Sequence, residues 1–324
     1  MDLWRRLSLG ALVAPLARPL AGAGPAEAED GEEPGPVTAA MSRRRAAGRH
    51  RGALGTVPPQ PVVLGGVRVT QTDGTTCGST VLLMLAATGD PVLARWLETG
   101  ELAEDLPAHR IPPEIPRAPG PGLDVARLAS TADRLTAAQQ HIQRRTSARA
   151  LRLLPWPPAL GTPPWTAARE ARFPGVRYQH LPLDDAAAAT APLLAAAHEA
   201  TLGGTPVPLY AGGDLGRGVT TAVPRHVVLA VPPPARAKNR GYDGAGNPVL
   251  HLYEPAGGDV HQVPVADLLG RTAPHAALGH WTHVCWLLLP RTSRPDLRRW
   301  PLASARGGGH ADRAGPESSA KEEP

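Results

Sequence analysis

QTDGTTCGSTVLLMLAATGDP, residues 71–91, is the stretch from which the rest of the chain is read. Asp73-Gly74 is a turn signal, and residues 77–89 have helical length, an apolar face at Val81, Leu82, Leu85 and Ala86, and a Gly stop before Pro91. Thr75 and Thr76 stand where an N-cap is wanted. Upstream, VVLGGVRVT (62–70) reads as a short strand feeding the turn. Cys77 is therefore expected at the positive end of a helix. A cysteine acts as a nucleophile only as thiolate, and a free thiol, with a pKa of about 8.5, is mostly protonated at neutral pH. A helix N-terminus and a nearby imidazolium both favour the ionised form.

The imidazole has to come from elsewhere in the chain. After the helical segments PVLARWLETGEL (91–102), LDVARLASTADRLTAAQQHIQRR (123–145) and DDAAAATAPLLAAAHEATLGG (184–204), the pattern turns to strands. These are TPVPLYAG (205–212), RHVVLAVPPP (225–234), PVLHLYEP (248–255) and VCWLLLP (284–290). Helices followed by strands indicate an α+β fold, with the cysteine helix packed on an antiparallel sheet. His226 opens one strand and Glu254 ends the next, 28 residues on. If AKNRGYDGAGN (237–247) joins the two as a hairpin, their ends meet, and Glu254 becomes the acceptor that orients the ring. Asp259 and Asp243 are the alternative acids. Gln71, six residues before Cys77, is placed across a turn to donate to a developing oxyanion.

QTDGTTCG, GGTPVPLY, RHVVLAV and LYEPAGG together resemble the papain-like cysteine peptidases, the bacteriocin-processing double-glycine-leader peptidases in particular. The resemblance implies a papain-like fold and a peptide or protein substrate. It makes Cys77 the nucleophile, His226 the general base and acid, Glu254 the orienting acid and Gln71 an oxyanion donor. It covers residues 62–90 and 190–260, under half the chain. The chain departs from the family in two ways: Glu stands where Asp is usual, and Cys77 and His226 are 149 residues apart. Residues 100–180, with Pro-rich stretches on both sides of their helix, then read as an inserted or enlarged lobe. No transporter membrane segments or nucleotide-binding motif follow. A transglutaminase-like acyltransferase and a non-catalytic binding module are the alternative readings.

Composition bounds what else the chain does. With 38 Pro and 35 Gly the connections are long and irregular, while 42% hydrophobic residues argue against wholesale disorder. The net charge of +5 follows no periodic face, and the basic run MSRRRAAGRHRG (41–52) reads as a solvated segment, so no nucleic-acid partner is expected. No stretch reaches the roughly 18 apolar residues of a membrane span. The N-terminus has a basic start and a short apolar run broken by Arg18, which favours a cytoplasmic location over a cleaved secretory leader. Cys77 and Cys285 are too few for a disulfide framework, and Cys285 reads as a buried strand thiol, although one bridge between them stays open. His280 and His283, read as lying on one strand, would face opposite sides, so neither a metal nor another cofactor is expected. Trp156 and Trp165 are read as core, and the Gly-rich YAGGDLGRG (210–218) as a loop beside the site rather than a phosphate loop. The expected organisation is a catalytic domain over 59–292 with disordered segments at 1–58 and 293–324. Nothing in the sequence bears on oligomeric state.

Overall fold

The computed structural model describes residues 58–116, 129–148, 150–151, 154–212, 224–235 and 241–291. The expected N-terminal segment up to residue 57, the tail from residue 292, and residues 213–218 of the Gly-rich stretch lie outside them.

Three two-residue strands come first: β1 (Gln60–Pro61), β2 (Val63–Leu64) and β3 (Val67–Arg68). The single strand expected over VVLGGVRVT is instead a hairpin, β2 against β3. Gly65 and Gly66, at φ 53° and 80°, make the reversal, because a two-residue hairpin turn with both central residues at positive φ admits glycine most readily.

Helix α1 (Cys77–Gly89) follows, and twelve of its thirteen residues are buried. The one-sided apolar face expected here is therefore corrected: a helix that is apolar or small all round sits inside the core. Its three hydroxyl residues fit because all bond backward, Ser79 Oγ and Thr80 Oγ1 donating to the Thr76 carbonyl at 2.9 and 2.8 Å and Thr88 Oγ1 to the Met84 carbonyl at 2.7 Å. Helix α2 (Pro91–Thr99) turns off sharply after Asp90, whose carboxylate caps it by accepting from the Val92 and Leu93 N–H groups.

Helix α3 (Thr131–Ala148) starts later than its periodicity indicates, because Ser130 and Asp133 bond reciprocally and cap it there. Residues 123–128 of that expected helix lie outside the described residues. Helix α4 (Pro164–Glu170) and strand β4 (Tyr178–Pro182) come next. Helix α5 (Ala191–Leu202) is shorter than the Ala-rich run that carries it. Pro192 belongs in a first helical turn, and in the interior of a longer helix it would cost about 3 kcal/mol. The residues before it form turns, with Thr190 Oγ1 donating to the Asp184 carbonyl.

Strands β5 (Val207–Gly212), β6 (Pro224–Val231), β7 (Val249–Glu254), β8 (Asp259–Pro264) and β9 (His283–Pro290) complete an antiparallel sheet in the order β1-β8-β7-β6-β5-β9-β4. Side-chain alternation along β6 divides the core. Val227, Leu229 and Val231 join the cluster containing α1, α2 and α3, while Val228 and Ala230 join the one containing α5. The architecture is α+β, with helices on both faces of one antiparallel sheet. Among the described residues, no single helix is long and apolar enough to cross a membrane. The expectation that His280 and His283 share a strand is corrected: His280 lies in a turn at φ 63°, and β9 begins only at His283.

Candidate active site

Strands β6 and β7 pair with Leu229 opposite Tyr253 and Val231 opposite His251. Continued by one residue, this register sets Glu254 opposite Val228, with His226 as its diagonal neighbour on the same face. Their side chains meet there: His226 Nε2 and Glu254 Oε1 are 2.7 Å apart, and both residues are buried. The remainder of the carboxylate is held by backbone, since Ala256 N–H donates to Oε1 at 2.8 Å and Gly257 N–H to Oε2 at 2.7 Å.

The other group acting on the ring is the Cys77 side chain, which lies close enough to raise the His226 pKa. Since Nε2 faces Glu254, Nδ1 is the nitrogen left for the sulfur. Cys77 is 2% exposed, and neither it nor Cys285 is in a disulfide. Thr76 precedes the helix but its hydroxyl is engaged with the backbone of Asp73, so it places no side-chain cap on the first turn. The leading N–H groups of α1 and the partial positive charge they carry therefore remain beside Cys77.

Residues far away in sequence hold the loop that leads into Cys77. Gln143 Nε2 on α3 donates to Thr75 Oγ1 at 2.8 Å, and Tyr253 Oη on β7 donates to the Val69 carbonyl at 2.9 Å. Gln71 N–H donates to the Pro255 carbonyl at 2.8 Å, tying the loop to the turn after Glu254. The Gln71 side chain is partly engaged within the loop: Nε2 donates to the Asp73 carbonyl at 2.8 Å, leaving one amide hydrogen, and Oε1 is buried without a partner.

Electrostatics favour a charged ring. Burial disfavours the imidazolium, but hydrogen bonds and charge from Cys77 and Glu254 outweigh it and raise the His226 pKa to about 9. Burial also pushes the Glu254 carboxyl up. The hydrogen bonds from His226, Ala256 N–H and Gly257 N–H prevail and hold it below its ordinary value.

The alternative acids are occupied elsewhere. Asp259 pairs with Arg68, and Asp243 accepts from the Ala245 and Asn247 N–H groups in the turn before β7. Trp156 and Trp165 form a half-buried edge-to-face pair, with ring centroids 5.3 Å apart. Cys285 is buried in β9, its S–H directed at the Tyr210 carbonyl.

Two contacts at the site were not legible beforehand. Gly279 packs on the His226 ring: a Cβ there would lie 2.5 Å from Cδ2 and 2.6 Å from Nε2. Gly78, next to Cys77, packs on Thr162 in the same way, its Cβ position 2.6 Å from the threonine Cβ. Gly279 lies in no motif, and although Gly78 ends QTDGTTCG, only the tertiary structure shows its contact with Thr162.

Compared with protein-family models, with curated proteins and with solved structures, the chain matches none of them.

Proposed function

We propose that this chain is a papain-like cysteine peptidase that hydrolyses a peptide or isopeptide bond through a thioester. The observation that carries the reading is one buried imidazole hydrogen-bonded to Glu254 and close enough to Cys77, at a helix N-terminus, for that side chain to raise its pKa. The order of parts supports the papain-like assignment: cysteine helix, histidine strand, then an acid ending the next strand of an antiparallel sheet.

In this reading Cys77 Sγ, as thiolate, attacks the carbonyl carbon and forms the C–S bond, and the carbonyl oxygen takes the negative charge. Donors for that oxygen are the N–H groups at the start of α1 and the free amide hydrogen of Gln71. The C–N bond then breaks as imidazolium His226 protonates the departing amine. Neutral His226 next removes a proton from water, whose oxygen attacks the thioester. The acid is released and the thiolate–imidazolium pair is restored. Glu254 keeps the ring oriented and stabilises its charged form throughout.

The enclosure of Cys77 also favours a second reading, transfer of the acyl group to an amine, because a site poor in water prolongs the life of a thioester. Product analysis with and without added amine separates the two. The primary test is labelling by a thiol-directed acyl probe. Cys77→Ala is expected to abolish labelling while circular dichroism and melting stay close to wild type. Labelling that persists, or moves to Cys285, rejects the assignment.

A further inference from the structure

The mechanism needs the His226 ring in one orientation, and the hydrogen bond from Nε2 to Glu254 does not by itself prevent the ring from tilting. The turn from His275 to Trp281 supplies a surface against its face. Gly279 sits there at φ 62°, and a Cβ on it would fall 2.5 Å from Cδ2, 2.6 Å from Nε2 and 3.0 Å from Cγ of His226. The main chain thus touches the ring at a separation that any side chain would prevent. The turn itself is tightly bonded. His275 and Trp281 form a bridge, with His275 N–H donating to the Trp281 carbonyl at 3.1 Å, and His280 N–H donates to the His275 carbonyl at 3.0 Å. The short 3-10 turn Ala276–Leu278 begins under a side-chain cap, Ala277 N–H donating to His275 Nδ1 at 3.0 Å. Ala277 and Leu278 are fully buried in the core cluster beneath β6 and β7, which anchors the turn to the strands bearing His226 and Glu254.

We propose that the 275–281 turn is a backbone clamp on the catalytic imidazole, with Gly279 as its contact point and His275 as the residue that sets it. Both are positioning residues, acting through His226. The proposal rests on the cysteine-peptidase reading above. Gly279→Ala drives a methyl into the ring and is expected to lower the rate of acyl-probe labelling at Cys77 at least tenfold. Gly270→Ala is the control, since Gly270 also has positive φ, 57°, but has nothing within 4 Å of its Cβ position. It carries similar backbone strain, so labelling is expected to stay within twofold of wild type. At position 275, Ala is expected to slow labelling severalfold, while Asn, whose side-chain oxygen reproduces the cap, restores it.

The two readings fail differently. If wild-type Cys77 is not labelled at all, the peptidase reading and the clamp fall together. If wild type is labelled but Gly279→Ala matches Gly270→Ala, the clamp alone is overturned. Should Gly279→Ala not fold, the position-275 pair decides: equal labelling of Ala and Asn variants with wild type rejects the clamp.

Discussion

Gln139 on α3 and Thr72 in the loop before Cys77, 67 residues apart, are joined by two hydrogen bonds: Gln139 Oε1 accepts from the Thr72 N–H at 2.9 Å and from its hydroxyl at 2.8 Å. Gln139 Nε2 meanwhile donates to the Thr70 carbonyl at 2.9 Å. One buried amide therefore fixes the backbone on both sides of Gln71. The helix that supplies it belongs to the segment that reads in the sequence as an enlarged lobe.

Replacing Gln139 by leucine keeps the volume and strands three loop groups. Each buried polar group left unpaired costs about 1–3 kcal/mol. We expect Gln139→Leu to lower stability by about 2–4 kcal/mol, read from urea unfolding, and to slow acyl-probe labelling even at temperatures where the variant is folded. Unchanged labelling would show that the loop needs no support from α3.

Glu254 is the carboxylate bonded to His226, and Asp259 and Asp243 are engaged elsewhere. Glu254→Gln is expected to reduce turnover by about two orders of magnitude, because an amide neither stabilises the imidazolium nor accepts both backbone N–H groups as well. Asp243→Asn and Asp259→Asn are expected to stay within about threefold of wild type. Loss of turnover in either aspartate variant, with Glu254→Gln active, reverses the assignment.

The pH dependence of stability has a definite sign. His226 titrates at about 9 in the folded protein against an ordinary value of 6.5, so its charged form stabilises the fold. That contribution is complete below pH 6.5 and disappears as pH rises through about 9. For Glu254, held below its ordinary 4.5, the contribution is present above pH 4.5 and is lost as pH falls through the lower folded value. The gap in urea midpoint between wild type and His226→Gln should therefore narrow between pH 6.5 and 9.5. A gap that is constant or grows over that range contradicts the raised value.

Gln71 separates oxyanion stabilisation from thiol reactivity. Alkylation by iodoacetamide forms no oxyanion, whereas acyl transfer does. Gln71→Ala should leave alkylation of Cys77 within about threefold of wild type and cut acyl turnover by about 10²–10³, the usual cost of losing one such donor. If both reactions fall together, the residue serves the loop rather than the transition state.

The sequence by itself determined the parts whose chemistry is local. It placed a cysteine at the head of a helix, because Asp73-Gly74, two threonines and the run to Gly89 are read within one segment. It also placed His226 at the start of one strand and Glu254 at the end of the next, and antiparallel pairing with the period of two then makes their meeting a matter of register. Helix limits were less legible. The Ala-rich run has helix propensity throughout, yet Pro192 decides where α5 starts, and α1 is buried on every side because helix α3 and the sheet cover it. Tertiary structure alone decided the rest: that Gln139 and Gln143 hold the cysteine loop, that Asp259 is taken by Arg68, and that Gly279 lies on the imidazole. These contacts join residues tens to hundreds of positions apart. No periodicity or spacing along a chain encodes the proximity of two such positions until packing of the core brings them together.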